Sequence, residues 1–144
     1  MKYSLKNTIN KPHDEVITHF TNPDGLKHWM EGFERLERIS GEAHSEGSKT
    51  NFHFIFKNKP MVIAETILEQ NLPHQIKFAY ESKMGYNEVE MKFEKASDNS
   101  TTQINNSYFE LNGPMKYIGF LMKPLMKKQS LKYMTAFKAY AEKQ

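Results

Sequence analysis

Residues 113–143, GPMKYIGFLMKPLMKKQSLKYMTAFKAYAEK, decide the fold of this chain. Apolar side chains recur there every three or four residues, the spacing that gathers them on one face of an α-helix. That face comprises Met115, Ile118, Met122, Met126, Tyr133, Phe137 and Tyr140, with one amide, Gln129, in their midst. We therefore predict a long terminal helix that begins near Pro114 and packs this face, Gln129 included, against the rest of the chain.

Upstream of the helix, apolar and polar residues alternate with the period of two that is typical of β-strands. The alternation is clearest over residues 50–56, where three phenylalanines share one face, and it returns in two later segments. The side chains predicted to face inward on these strands are Phe52, Phe54, Phe56, Ile76, Phe78, Tyr80, Val89, Met91 and Phe93. A sheet with one apolar face needs a cover, and the terminal helix can supply it.

The last predicted strand, residues 101–111, is polar on its inward face. The register that buries Phe109 also buries three polar side chains, whereas the opposite register would bury Glu110. The three are Gln103, Asn105 and Ser107. A buried amide without a partner costs on the order of 1–3 kcal/mol, so these groups should bond to a ligand, to trapped water or to one another.

The opening of the chain predicts one strand followed by two short helices. Lys2–Asn10 alternates as a strand, and Pro12 then suits the first turn of a helix over residues 13–20. An Asn-Pro-Asp-Gly turn ends that helix before a second one through Leu26 and Trp29.

Two further strands are predicted over residues 33–40 and 61–70. The inward set on the second of these is Val62, Ala64, Thr66 and Leu68. This alternation would turn Glu65 outward. No repeat, low-complexity segment or long linker interrupts the pattern, so we expect one domain spanning residues 1–144.

This order of elements resembles the helix-grip fold of the START and Bet v 1-like (SRPBCC) superfamily, in particular bacterial proteins of the polyketide cyclase/dehydrase-like type. The resemblance covers essentially the whole chain, and it predicts the fold more than the activity. The segments that carry it are INKPHDEVITHFTNPDGLKHWMEGFERLERISG at 9–41, the turn from Gly41 to Gly47 and Ser48, ETILEQNLP at 65–73, and the terminal helix. It implies an α+β fold in which a seven-stranded antiparallel sheet curls around the C-terminal helix, with two short helices after strand 1.

The resemblance also implies a pocket between sheet and helix, and the alternation selects the side chains that would face it. The predicted ligand-binding set is Trp29, Phe52, Phe54, Phe78, Tyr80, Met91, Asn105, Ser107, Met122, Met126, Gln129 and Tyr133. An apolar wall with a few polar groups is how small-molecule sites obtain orientation and specificity. The same Met and aromatic stripe would also serve as core packing, and Trp29 would serve as a lid or as a core or rim anchor.

Composition narrows the remaining classes of protein. The chain has no cysteine, which excludes disulfides and thiolate metal sites. A net charge of +3 is too small to argue for nucleic acid. The longest apolar runs fall far short of the roughly 20 residues that span a bilayer, and the start of the chain lacks an apolar signal core. We expect a soluble, cytoplasmic protein that works without metal or organic cofactor.

The sequence contains no recognisable catalytic motif. Its six histidines are scattered without the spacing of metal ligands, and no nucleophile motif occurs. Glu65 would act as a general base only if it were buried, and its predicted outward position argues against that role. A cyclase or dehydratase acting on a polyketide-like substrate stays open as an alternative, because enzymes of the resembling fold can act largely by shaping a reactive chain.

The terminal helix offers a third alternative, a membrane-surface or protein-interaction module. From Lys116 to Lys143 it holds seven lysines against one acid, Glu142. Several of them flank apolar residues off the main stripe, a combination that suits anionic headgroups or an acidic partner. A second subunit would suit the same face, so a homodimer is compatible with the pattern. Pro124 should kink or divide the helix.

Taken together, the pattern favours non-covalent binding of a small hydrophobic or amphipathic ligand, lipid-like or polyketide-like. The expected site is a cavity between the sheet and the C-terminal helix.

Overall fold

The computed structural model describes all 144 residues and contains seven strands, three α-helices and two 3-10 turns. In chain order the strands and α-helices are β1 (Lys2–Ile9), α1 (His13–Thr21), α2 (Leu26–Trp29), β2 (Phe33–Ser40), β3 (Lys49–Phe56), β4 (Lys59–Asn71), β5 (Gln75–Ser82), β6 (Gly85–Ser97), β7 (Ser100–Leu111) and α3 (Gly119–Glu142). The 3-10 turns are Pro23–Gly25, ahead of α2, and Gly113–Ile118, ahead of α3.

All seven strands form one antiparallel sheet in the order β1-β7-β6-β5-β4-β3-β2. Strands β2 to β7 follow one another along the chain and across the sheet, whereas β1 pairs with β7 from the opposite end of the chain. The connection from β1 to β2 therefore crosses the width of the sheet, and it contains α1 and α2. Because α3 packs mainly on β1 and α2, the three helices cover one face of the sheet.

An aromatic cluster joins the helices to this face. Phe137 of α3 meets Phe20 of α1 and Trp29 of α2, with ring centroids 5.5 and 5.1 Å apart. Phe20 in turn meets Phe93 of β6 at 4.9 Å. Edge-to-face aromatic pairs stabilise beyond the area that they bury, so the cluster fixes the C-terminal half of α3 over one end of the sheet.

The terminal helix begins later than predicted and is not divided. Its first residue is Gly119 rather than one near Pro114, because the 3-10 turn occupies the residues between them. Pro124 lies inside α3, which runs on without a break. Proline lacks the backbone N–H that would donate to the carbonyl four residues earlier, and here that loss falls near the start of the helix.

The buried line of α3 is also rotated relative to the prediction. Met134, which the predicted stripe omitted, is only 2% exposed, whereas Gln129 is exposed. Contacts with β1 fix this rotation: the Tyr3 hydroxyl lies 2.6 Å from Ser130 Oγ, and Asn7 Nδ2 donates to the Met134 carbonyl at 3.3 Å. Gln129 therefore lies at the edge of the buried face of the helix rather than at its centre, where the stripe had placed it.

Strand β4 has the opposite register to the predicted one. Val62 and Leu68 are 44% and 37% exposed, while Glu65 is only 8% exposed. Glu65 lies directly opposite Thr50 on β3 and Tyr80 on β5, and directly opposed residues point to the same face of a sheet. Since β4 is apolar on both faces, its own alternation did not determine its register; its neighbours do.

Candidate ligand-binding cavity

A cavity of about 510 Å³ lies between the sheet and α3. Twenty of its 26 lining residues are hydrophobic, and none is an acid, a lysine, an arginine or a histidine. Pockets for drug-sized molecules measure about 300–1,000 Å³ and have predominantly apolar walls. Both the size and the lining suit a small, mainly apolar and uncharged molecule.

The structure brings most of the predicted ligand-binding set together around this cavity. The predicted residues that line it are Trp29, Phe52, Phe54, Phe78, Tyr80, Met91, Asn105, Met122, Met126, Gln129 and Tyr133. Gln129 lines the cavity but is also exposed to solvent, so its amide lies at the edge of the cavity rather than in its interior. Ser107 is not a lining residue: it is buried beside Asn105, and its hydroxyl donates a hydrogen bond of 2.5 Å to Asn105 Oδ1.

Several lining residues were absent from the predicted set. They include Tyr3, Asn87, Gln103, Ser130 and Met134. The alternation of β6 contained the signal for Asn87, which lies two residues before Val89 on the same face. Gln103 was predicted to face inward but was not assigned to the pocket. No sequence signal identified Ser130 and Met134, because their position depends on the rotation that β1 imposes on α3.

Three buried polar atoms of the cavity wall have no hydrogen-bond partner within the protein. They are Trp29 Nε1, Asn87 Oδ1 and Gln103 Oε1. Gln103 is only 1% exposed, and its Nε2 lies 3.3 Å from Met91 Sδ, which is a weak acceptor. An unpaired buried polar atom costs about 1–3 kcal/mol, and a hydrogen bond from a bound molecule to any of these atoms would offset that cost.

A buried carboxyl lies next to the cavity, contrary to the predicted outward position of Glu65. The Tyr80 hydroxyl donates a hydrogen bond of 2.9 Å to Glu65 Oε2, and Tyr80 itself lines the cavity. Burial raises the pKa of Glu65 to about 7, although the bond from Tyr80 and the charge of Arg38 act in the opposite direction. Burial, and then the neighbouring Glu65, raise the pKa of Tyr80 well above its ordinary value. Near neutral pH, Glu65 therefore exists in both protonation states.

A second hollow, of about 710 Å³, has a different character. It is open to solvent, and Phe93 is the single hydrophobic residue among charged and polar neighbours. The rings of His13 and His74 stack there at 6.2 Å, and His13 Nε2 lies 3.0 Å from the Phe93 carbonyl oxygen. No three histidine, aspartate or glutamate side chains of the protein cluster closely enough to hold a metal ion. Although it is larger, this groove is solvated, so the cavity under α3 is the candidate site.

The start of α3 exposes apolar side chains next to the cavity. Phe120, Leu121 and Leu125 are 65%, 58% and 59% exposed, and Leu125 also lines the cavity. The lysines of the same segment are Lys116, Lys123, Lys127 and Lys128. None of the helices is both long enough and apolar enough to cross a membrane.

No protein-family model matches this sequence, and no curated protein matches it. Solved structures match over nearly the whole chain. Ara h 8.0201 has a TM-score of 0.81 at 10% identity, covering 100% of this chain and 99% of its own. A conserved protein from Geobacillus kaustophilus has a TM-score of 0.81 at 14% identity, covering 99% and 96%.

The Zhui aromatase/cyclase from Streptomyces sp. R1128 also matches, with a TM-score of 0.75 at 11% identity, covering 99% of this chain and 93% of its own. At such low identity these likenesses establish the fold alone. They confirm the architecture predicted from the sequence.

Proposed function

Because the chain has the helix-grip fold of the START and Bet v 1-like (SRPBCC) superfamily, we propose that it binds a small hydrophobic or amphipathic molecule between the sheet and α3. One observation carries the proposal, the 510 Å³ cavity with its uncharged, mainly apolar wall. The unpartnered polar atoms of Trp29, Asn87 and Gln103 supply orientation within it. A lipid-like or polyketide-like skeleton with a few oxygen atoms fits this chemistry.

Binding takes precedence over a cyclase or dehydratase activity for a chemical reason. Such reactions need a proton donor and a proton acceptor that both reach the substrate. No histidine, lysine or acid lines the cavity, and of the buried pair Glu65 and Tyr80 only Tyr80 does so. The wall is therefore better suited to holding a molecule than to transforming it.

Native mass spectrometry of protein purified gently from its natural host tests the proposal. We expect a discrete small-molecule adduct, which organic extraction releases and which identifies the ligand class by its mass. Protein unfolded in guanidinium and refolded without extract is the matched control and should show the bare mass. Repeated spectra of the bare chain from the gentle preparation would contradict the carrier function.

Docking to an anionic membrane surface is a second candidate function. The observation that supports it is the combination of exposed Phe120, Leu121 and Leu125 with four lysines in the same segment, in which Leu125 also lines the cavity. Apolar side chains that enter the headgroup region and lysines that meet anionic lipid are the usual components of interfacial helices. Docking through this segment would bring the cavity mouth to the lipid from which a ligand enters.

Liposome flotation checks the docking. Each lysine near an anionic surface contributes about 1 kcal/mol, so Lys116→Gln, Lys127→Gln and Lys128→Gln together should lower the affinity for vesicles containing phosphatidylserine at least about tenfold. The matched control removes the same charge elsewhere, through Lys6→Gln, Lys49→Gln and Lys95→Gln, and should float like the wild type. Equal flotation of both triple variants would exclude this surface, as would equal binding to neutral vesicles.

A further inference from the structure

A row of polar side chains crosses the sheet beside the cavity. Its members are Arg38, Thr50, Glu65, Tyr80 and Asn87, which lie directly opposite one another on β2, β3, β4, β5 and β6. Directly opposed side chains share one face of a sheet, and here that face is the one covered by the helices. This polar row brings a buried carboxyl next to a cavity whose own wall is uncharged.

Two hydrogen bonds organise the polar row. Arg38 Nη1 donates to Thr50 Oγ1 at 2.7 Å, and the Tyr80 hydroxyl donates to Glu65 Oε2 at 2.9 Å. Tyr80 and Asn87 are the members that line the cavity. A phenol has one proton to donate, so while it goes to Glu65 the Tyr80 oxygen presents only lone pairs to a ligand.

We propose that Glu65 and Tyr80 form a protonation-controlled binding site for a carbonyl group on the apolar ligand. The inference rests on the proposed ligand-binding function. When Glu65 carries a proton, its own hydroxyl donates to the Tyr80 oxygen, and the Tyr80 O–H donates to the ligand carbonyl. When Glu65 is ionised, it retains the Tyr80 hydrogen bond, and the carbonyl meets a lone pair instead.

Which hydrogen bond Tyr80 makes in each protonation state of Glu65 follows from the cost of burying charge. A buried carboxylate needs donors, and a hydrogen bond to a charged acceptor is about twice as strong as one between neutral groups. Tyr80 is the hydrogen-bond donor that Glu65 has in the structure. Ionised Glu65 therefore keeps that bond, whereas the neutral acid has a proton of its own and releases Tyr80 at little cost.

The surroundings place the change between the two states near neutral pH. The charged and titratable groups that face the pair are Arg38 from β2 and Tyr133 from α3, with His44, Glu31 and Lys132 beyond them. Arg38 favours ionised Glu65, but burial outweighs it and raises the pKa of Glu65 to about 7. Burial lowers the pKa of His44, so its charge does not add to that of Arg38 near neutrality.

Asn87 extends the recognition to a second ligand group. It lies directly opposite Tyr80, and its Oδ1 is buried without a partner. A hydroxyl next to the ligand carbonyl would donate to this oxygen. The ligand class is thus an uncharged apolar molecule that carries a carbonyl with a hydroxyl close by.

Two neutral dyes test the site. Prodan carries one ketone, and its emission moves to longer wavelength when that ketone accepts a hydrogen bond; N-phenylnaphthylamine has no carbonyl. We expect the wild type to bind prodan about fivefold more tightly at about pH 5.5 than at about pH 8.5, with the longer-wavelength emission at the lower pH. N-phenylnaphthylamine should bind equally at both.

Two variants separate the members of the pair. Glu65→Gln should bind prodan equally well at both pH values, because its amide can donate to the Tyr80 oxygen and never ionises. Tyr80→Phe should bind prodan weakly at both, without the emission shift, and should still bind N-phenylnaphthylamine. If N-phenylnaphthylamine fails to bind the wild type, the ligand-binding function itself is wrong. If it binds while prodan shows no pH dependence, or shows the same dependence in Glu65→Gln, the carbonyl site is overturned and ligand binding stands.

Discussion

The free energy of unfolding of the wild type, measured relative to its Glu65→Gln variant, should fall by about 2–3 kcal/mol as the pH rises from about 5 to about 8. The cause is the burial of Glu65 among the inner residues of the sheet, which raises its pKa from 4.5 to about 7. A surface glutamate would give no such loss.

The sign follows from proton binding. Between the two pKa values the folded protein binds a proton at Glu65 that the unfolded chain does not, so raising the pH favours unfolding. The stabilising contribution of the raised pKa is complete below about pH 4.5 and is lost as the pH passes through about 7. This direction is opposite to that of an ion-paired glutamate, whose contribution is lost when the pH falls.

Urea unfolding at the two pH values, followed by circular dichroism, measures the effect. The comparison with Glu65→Gln cancels the contributions of the other titrating groups to the free energy of unfolding. One of them is His44, whose lowered pKa makes unfolding less favourable as the pH rises over part of the same range. Gln retains an acceptor for the Tyr80 hydroxyl, so the variant should fold. A difference in unfolding free energy that stays constant with pH would show that Glu65 is solvated in the folded protein, and one that grows with pH would show that its carboxylate is ion-paired there.

The fold was predictable because many weak signals agreed. Three phenylalanines on β3, charged outer positions on β6 and the helical spacing of the last residues each predicted the element that the structure contains. The order of these elements matched a single architecture. Solved structures that are only 10% and 14% identical to this chain share that architecture.

The polar part of the site was less predictable, for two physical reasons. β4 is apolar on both faces, so its own residues did not show that Glu65 faces inward; the pairing with Thr50 and Tyr80 does. The rotation of α3 depends on bonds from β1, more than one hundred residues away, so the helical pattern alone placed Gln129 at the centre of the buried face and omitted Ser130. Both errors concern relations between elements, which local periodicity does not contain.

Filling the cavity from two walls should strongly weaken ligand binding. Ser82 on β5 and Met126 on α3 both line it, and Ser82→Trp with Met126→Trp places two indoles in the space that a ligand would occupy. The matched control is Glu81→Trp with Leu121→Trp, which adds the same two rings to exposed neighbours on the same strand and helix. Thermal unfolding of both variants separates a filled cavity from a misfolded chain.

Titration with N-phenylnaphthylamine is the measurement that tests the enclosed cavity most directly. We predict saturable binding of one dye per chain to the wild type and to the Glu81→Trp, Leu121→Trp control, and an affinity at least about tenfold lower in the filled variant. Equal affinity in the folded filled variant would place the dye elsewhere. The absence of saturable binding to the wild type would contradict a ligand-accessible apolar cavity beneath α3.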